Sequence, residues 1–550
     1  MIIVKKIPTR FYTRALSTLA VLVVTFLFGG CKNKTSLVED GITQQVLHVG
    51  NGLEPQDLDP HIITGISEIK ILSALFEGLV GQSPKDLSPI PGLAASWEIS
   101  SDRKTYTFHL RENLKWSNGE KLTAADFVYS YRRMLNPKLG AANSYLLFVL
   151  KNAQAYFDGN VEWTHVGVRS PDPDSLILEL KNPTPYLLRL LSHPAWFPIP
   201  EFVLSQHGAS DGRATGWTRA GSMVSNGPFQ LSEWIVNERI HLTRNDHYWD
   251  HETTRLKELY FYPTESREAE ERAFRAGQLH LTEAMPTSRV RYYRDQKAPS
   301  LQIDPYLGSY YLQLNTRKQP LSDPRVRKAL SLVLDRVLIV ERITQGSQIP
   351  AWHFTPPGTA GYTPEISGEK NLVEAQQLLA EAGFANGEGF PPLTYLYNTS
   401  ENNKLIAEAI QNMWQTTLGI PIDLINQEWK VYTQSRETGD FDILRSSWIA
   451  DYEDPSTFLD VWTAQSGNNF TGWSSAEYDR LIQATQVTEV ESARFSLFEK
   501  AEELLIEKQP IIPLYFYTSV YLKHPSVRSY YPTLLNYHPW KHVYLESVAE

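Results

Sequence analysis

A single cysteine, Cys31, occurs in this chain of 550 residues. No internal disulfide can staple any part of it, so its fold must rest on packed apolar cores. Paired-cysteine zinc sites are excluded for the same reason. The length predicts about two to four domains. With 42% hydrophobic, 21% charged and 12% aromatic residues, the composition is that of a folded protein and not of a disordered one.

Cys31 also sits at a telling place. Lys5, Lys6, Arg10 and Arg14 precede an apolar run from Ala15 to Phe28, which Gly29 and Gly30 close before the cysteine. That run is shorter than the about 20 residues a membrane span needs. Residues 1–30 therefore read as an export signal. The arrangement resembles a bacterial lipoprotein signal, which implies cleavage before Cys31 and a lipid on its sulfur and new amino group; Phe28 stands where such signals usually carry Leu. The signal segment holds no acid, so its loss makes a formal charge of -10 four units more negative. An acidic mature chain argues against sequence-independent nucleic-acid binding, which rests on Lys and Arg neutralising phosphates.

Residues 31–45 are polar and read as a tether, with the folded body starting near Val46. Tyr106, Phe108 and Leu110 alternate with polar residues and predict a half-buried strand. Thr123 and Asp126 have capping-box spacing, which places a helix start near Ala124. Asp323 as cap and Pro324 in the first turn predict a helix whose apolar face is Val326, Leu330, Val333, Leu334 and Val337. Similar patterns predict helices over 401–418, closed by Gly419, and over 489–507, and strands over 420–425 and 511–517. The class is mixed α/β, without repeats or a long low-complexity linker, so domains interweave.

Enzyme signatures are scarce. The chain has no HExxH, no GxSxG and no Gly-Lys pair from which a phosphate-binding loop could be built. Asp57 with Asp59, and Asp451 with Glu453 and Asp454, are acid clusters that could act as paired carboxylates, although caps, turns and solvated faces account for most such clusters. Asp59-Pro60-His61 reads as a turn and not as a metal site. No metal, no cofactor and no catalysis are expected.

The segments GLAASWEIS (92–100), TYTFHLRENLKWSNGEKLTAADFVYSYRR (105–133), NGPFQLSEWIVNERIHLTRNDHYW (226–249) and YYLQLNTRKQPLSDPRVRKALSLVLDR (310–336) resemble the family 5 extracytoplasmic solute-binding proteins, in their oligopeptide-binding branch. The likeness spans roughly residues 46–545 and implies a two-lobed periplasmic-binding-protein fold (type II, cluster C) with a hinge and an extra inserted domain. By analogy lobe I takes 46–76, 205–306 and 517–550, the inserted domain 77–204, and the second main lobe 307–516.

The resemblance also implies a binding site. The stretch from Trp429 to Leu459 matches the ligand-contacting part of the family, with Asp451 after Trp448 in the place of the aspartate that holds a peptide's terminal ammonium. An ammonium taken out of water needs such a partner. Arg436 and Arg445 match positions available to the peptide's carboxyl end or to pocket polar groups, and either could equally be a structural ion pair. Thr64, Gly65 and Ile66 on one side, and Ser447, Trp448 and Ile449 on the other, match the segments that grip peptide backbone like an added strand. Trp429 and Asn398 are expected to line the pocket, with a core role open for Trp429. Asn403 stands where relatives carry a histidine for longer peptides, Thr64 replaces a pocket acid, and a pocket tyrosine is replaced near Ala142. Glu283 replaces a neutral amide and could favour basic side chains or a second ammonium. Gly308 and Ile449 occupy positions bridged by a disulfide in relatives. The expectation is a monomeric, exported, membrane-anchored lipoprotein that captures short peptides and hands them to an ABC permease and its ATPase subunits. Open alternatives are cell-wall (murein) peptides, another solute, or a peptide-processing enzyme.

Overall fold

A computed structural model describes residues 36–213 and 215–547. The signal segment and Cys31 lie outside the described residues. Among these no helix is long and apolar enough to cross a membrane.

The mixed α/β pattern is built on three main sheets. One has four strands in the order Val46–Gly52, Glu258–Pro263, Arg239–Arg244, Phe229–Ile235, parallel at its first pair and antiparallel after it. A second, antiparallel, runs Ala94–Ile99, Thr105–Leu110, Ser175–Glu179, Val168–Asp172. Tyr106, Phe108 and Leu110 point into its core, as the alternation predicts. One continuous apolar cluster joins these two sheets, from Leu47 and Phe261 to Phe108, Trp116 and Trp196.

The third sheet has six strands: Ile349–Pro350, Ile511–Leu522, Leu301–Leu314, Ile443–Ile449, Leu393–Asn398 and Ile422–Gln427. Its core is separate, built from Leu312, Leu314, Ile443, Trp414 and Ile512 among others. The two long strands Leu301–Leu314 and Ile511–Leu522 tie the halves together. Their outer ends pack with Met285, Val290 and Tyr293, and their inner ends enter the six-stranded core. Between these regions the ladder slips, from Pro305↔Thr518 to Ser309↔Phe516. A bulge bends a strand locally, and this one falls where the lobes are expected to meet.

Helix starts follow their caps. Thr123 and Asp126 form the capping box of helix Ala124–Met134, and Asp323 caps Pro324–Val333. The helix Glu401–Leu418 ends at Gly419, whose φ of 70° suits a residue without Cβ. Two expectations change. Leu334 leaves the helix with ψ 120°, and a new helix, Arg336–Arg342, begins under the Asp335 cap; Val337 is thereby exposed instead of completing the apolar face. Residues 36–45 are not a tether. Ser36 and Glu39 make a capping box for helix Leu37–Gln44, with Val38 buried and its N–H bonded to the Gly277 carbonyl.

Candidate functional site

The β-prone run Ile443–Ile449 is where the site begins. Along one edge it pairs antiparallel with the central strand over its whole length, from Leu314↔Ile443 to Gly308↔Ile449. Along the other edge the parallel ladder to Leu393–Asn398 stops after Tyr395↔Ile443 and Leu396↔Leu444. From Arg445 to Ile449 no strand lies against that edge among the described residues. Tyr432 donates its hydroxyl to the Arg445 carbonyl, and the rest of the edge is a template for another extended segment.

At the end of this strand Ala450 donates its N–H to Leu307 O, 2.9 Å, and the chain turns through three carboxylates with different fates. Asp454 is buried and accepts two hydrogen bonds from Arg494, 2.8 and 2.7 Å. Glu453 is buried and takes Nη1 of Arg189 at 2.5 Å; burial still pushes its carboxyl up to about 7, against the pull of Arg189. Asp451 is half-buried, and burial raises its carboxyl above the usual range, opposed by the Tyr145 hydroxyl. No Lys or Arg offsets it. Of the three, Asp451 alone faces open space without a cation.

That space is a cleft of three contiguous cavities. The first, about 320 Å³, is lined by Asp451, Ile449 and Tyr452, by Thr64 and Ile66 across it, and by Tyr306 beside the bulge. The second, about 370 Å³, shares Ile66 and Tyr306 and reaches Glu283 and Tyr517. The third, about 610 Å³, shares Thr64, Ile66 and Glu283 and runs behind Gly65. Thr64 and Ile66 are exposed, and Gly65 caps helix Ile66–Leu75. Of the two segments expected to grip a backbone, Thr64 and Ile66 on one side and Ile449 on the other line one cleft, whereas Ser447 and Trp448 line none of the three cavities.

The remaining expected residues divide. Arg445 stands one side chain behind the wall. Its guanidinium donates to Asn398 Oδ1 (3.2 Å) and Tyr517 OH (3.1 Å) and lies 4.6 Å over the Tyr310 ring. It has neutral partners and no carboxylate, and its Nε is buried without a partner. Asn398 and Asn403 hold this arrangement: Asn403 is buried, donates to Asn398 Oδ1 at 3.0 Å and accepts from Tyr310 OH at 3.2 Å. Asn403 therefore positions others and does not itself line the three cavities. Arg436 lies over Phe470 at 4.8 Å, buries its Nε without a partner as Arg445 does, and lines none of the three cavities. Trp429 is 54% exposed and stacks on Tyr432, which rules out a core position and leaves it off the cleft wall. Trp448 packs its ring into the cluster of Phe354, Phe458 and Trp462, so its backbone and not its indole belongs to the open edge. Ser447, paired with Tyr310, lies on the Arg445 face. Glu283 is not a free carboxylate, since Lys70 forms an ion pair with it.

The clearest omission is Tyr145. A pocket tyrosine is expected to be missing near Ala142, yet Tyr145, three residues on, sets its hydroxyl against Asp451. It is 45% exposed while Leu146 and Leu147 beside it are buried. An aromatic on the polar side of the short helix Ser144–Leu147 was the available signal.

The comparisons decide the family. The model of bacterial extracellular solute-binding proteins, family 5 Middle, matches residues 88–470. The chain belongs to this family. It is 38% identical over 485 residues to the periplasmic murein peptide-binding protein MppA of Escherichia coli, covering 87% of this chain and 88% of the relative. It is 37% identical over 528 residues to the periplasmic oligopeptide-binding protein OppA of Salmonella typhimurium, covering 94% and 95%. Among solved structures, the unliganded open form of MppA superposes with a TM-score of 0.80 at 36% identity, covering 91% of this chain and 97% of that one. The fold is accordingly the two-lobed type II solute-binding fold.

Proposed function

We propose that this chain is the substrate-binding lipoprotein of an ABC importer, anchored through lipid on Cys31, that captures short oligopeptides in the inter-lobe cleft and delivers them to a membrane permease. The observation that carries this reading is the open strand edge from Arg445 to Ile449, ending beside a carboxylate that no cation offsets. An extended peptide added to that edge would be held through its main chain, which is indifferent to side-chain identity. Asp451 would take the terminal ammonium as a charge-assisted pair. Arg445, held only by neutral groups, would face the carboxyl end through the Tyr517 hydroxyl. Arg436 has no such route. Closure about the bulge at 305–309 would bring Thr64–Ile66 onto the other edge of the peptide and couple occupancy to docking. Family 5 proteins are binding proteins, so bound peptide should be recovered intact.

Calorimetric titration of the full-length chain, stripped of carried-over ligand, with pooled tri- to pentapeptides and their amino-acetylated counterparts tests this. Free peptides should bind and acetylated ones should not. If neither pool binds, the chain is a family member for another solute. The likeness to MppA favours a second reading, murein peptide capture. A D-amino-acid-containing murein tripeptide that binds while the all-L pool does not would establish it over the first.

A further inference from the structure

Asp451, Tyr452 and Glu453 belong to no strand or helix. No ladder and no helical turn fixes where the Asp451 carboxylate sits, so its place is set by what holds the residues on either side. Ala450, before it, is bound to its own half: its N–H donates to Leu307 O and its side chain joins the cluster of Phe354, Phe458 and Trp462. Tyr452 and Glu453, after it, are bound to the other half. The Tyr452 ring stacks on Tyr186, with centroids 4.8 Å apart and planes 12° from parallel, and packs on the core that joins the two four-stranded sheets. Glu453, 4% exposed, accepts from Nη1 of Arg189 with Oε2 (2.5 Å) and from the Ala360 N–H with Oε1 (3.3 Å). Both ties come from one place. Arg189 belongs to the short helix Leu187–Leu190 and Tyr186 immediately precedes it, so the two share one face, while Leu187 and Leu190 are buried on the other in that same core.

We infer that Arg189 and Tyr186 are positioning residues for peptide capture, holding the turn 451–453 from the other half of the molecule so that the Asp451 carboxylate is in place before a peptide arrives. The assignment rests on the peptide reading above, in which Asp451 takes the terminal ammonium. Arg189 and Asp451 line the same cavity, so the tie lies at the point of capture itself. An ion pair this far removed from water adds little net stability, and what it supplies is one fixed geometry. A turn that is already ordered does not have to be ordered by the ligand, and the binding affinity is higher by that difference.

The test is calorimetry on the full-length chain with one free tripeptide that the wild type binds. Arg189→Gln should weaken binding roughly 10-fold, what it costs to order one backbone residue, and Arg189→Lys, which keeps the charge, should recover part of the loss. The deciding readout is a double-mutant cycle with Asp451→Asn. Because Arg189 acts through Asp451, Arg189→Gln should cost nothing further once residue 451 is asparagine. Losses that add would give Arg189 a contact of its own with the peptide and overturn the inference. A merely structural ion pair would lower the urea midpoint and leave the affinity of the folded chain unchanged, which overturns it too. Should Arg189→Gln not fold, Tyr186→Leu, which removes the other tie and keeps an apolar side chain, carries the same cycle with the same outcomes. Binding of no free peptide by the wild type sinks the peptide reading itself, and the positioning role with it, whereas binding that Arg189→Gln leaves untouched sinks the positioning role alone.

Discussion

The two halves of the molecule handle charge in opposite ways. The half built on the six-stranded sheet gives most of its buried acids fixed partners: Asp454 has Arg494, Glu502 has the N–H groups of Phe354 and Thr355 at 2.7 Å each, and Glu453 takes Arg189 from the other half. To the cleft it presents main chain, with Asp451 at the end. The half built on the four-stranded sheet buries neutral histidines, His48, His61, His280 and His538, and lines its part of the cleft with carboxylates. The difference teaches that residue type does not assign a role here. Burial together with the identity of the partner decides whether an acid is a strut or a ligand.

Acid should pull the halves apart, and this is the largest expected effect. Burial lowers His48 and His61 to about 4 and His280 and His538 to about 3. Below about pH 6.5 the unfolded chain binds protons that the folded one refuses, which costs ~1.4 kcal/mol per pH unit for each group until the folded value is reached. Glu453, Asp460 and Glu502 are raised to about 7. They act in the opposite sense: their contribution is lost as pH rises through 7 and is gained as pH falls toward their unfolded values. His353 at about 4 and Glu270 at about 7 oppose the trend of their own halves, but are outnumbered. Hydrogen exchange, corrected for intrinsic rates, should show strand Val46–Gly52 losing protection between pH 7 and 5.5 while Ile443–Ile449 keeps its own. Equal loss in both would break the comparison.

The three carboxylates after Ala450 sharpen it within a few residues. Asp454→Asn leaves Arg494 buried without its counter-charge and should destabilise the chain by about 3–5 kcal/mol in urea unfolding. Asp451→Asn should not destabilise it, because burial already disfavours that charge. Its effect belongs in binding, where truncating one partner of a desolvated charge pair costs about 2–5 kcal/mol, at least roughly 30-fold in affinity for free peptides. If Asp451→Asn unfolds as readily as Asp454→Asn, the division between strut and ligand is wrong.

Much of this was legible before any coordinates. Thr123 with Asp126 and Asp323 with Pro324 announce helices through local chemistry alone. Gly308 and Ile449, marked only by resemblance, are direct cross-strand partners. The break at Leu334 was less readable, because Asp335 and Arg336 look like continuing helix until Arg336 is seen buried, donating to Pro513 O at 2.8 Å. The capping box of Ser36 and Glu39 was present in the sequence, but the polarity around it reads as a tether, and only the packing of Val38 on residues near Gly277 makes it a helix. Glu270 was invisible: in the run REAEERAFR nothing local separates the buried Glu270 and Glu271 from the exposed Glu268, since the packing that buries them, Gly50 against Glu270 and Tyr293 against Glu271, comes from elsewhere in the sequence.

The smallest effect tests whether the two walls speak to each other. Tyr145 is about 300 residues from Asp451 in sequence, yet its hydroxyl partly offsets the burial that raises Asp451. Tyr145→Phe removes one hydrogen bond and little volume, so affinity for free peptides should fall only a few-fold, the equivalent of about 1 kcal/mol. The informative quantity is the pH profile. Binding through the Asp451 carboxylate is lost as pH falls through its pKa, and without the tyrosine that midpoint should move upward, because burial then acts unopposed. Titrations of one free tripeptide across pH 4 to 8 on both proteins measure the shift. A midpoint that stays in place, with or without the few-fold loss, would make Tyr145 a neighbour of Asp451 and not its tuner, and each wall would then set its own chemistry alone.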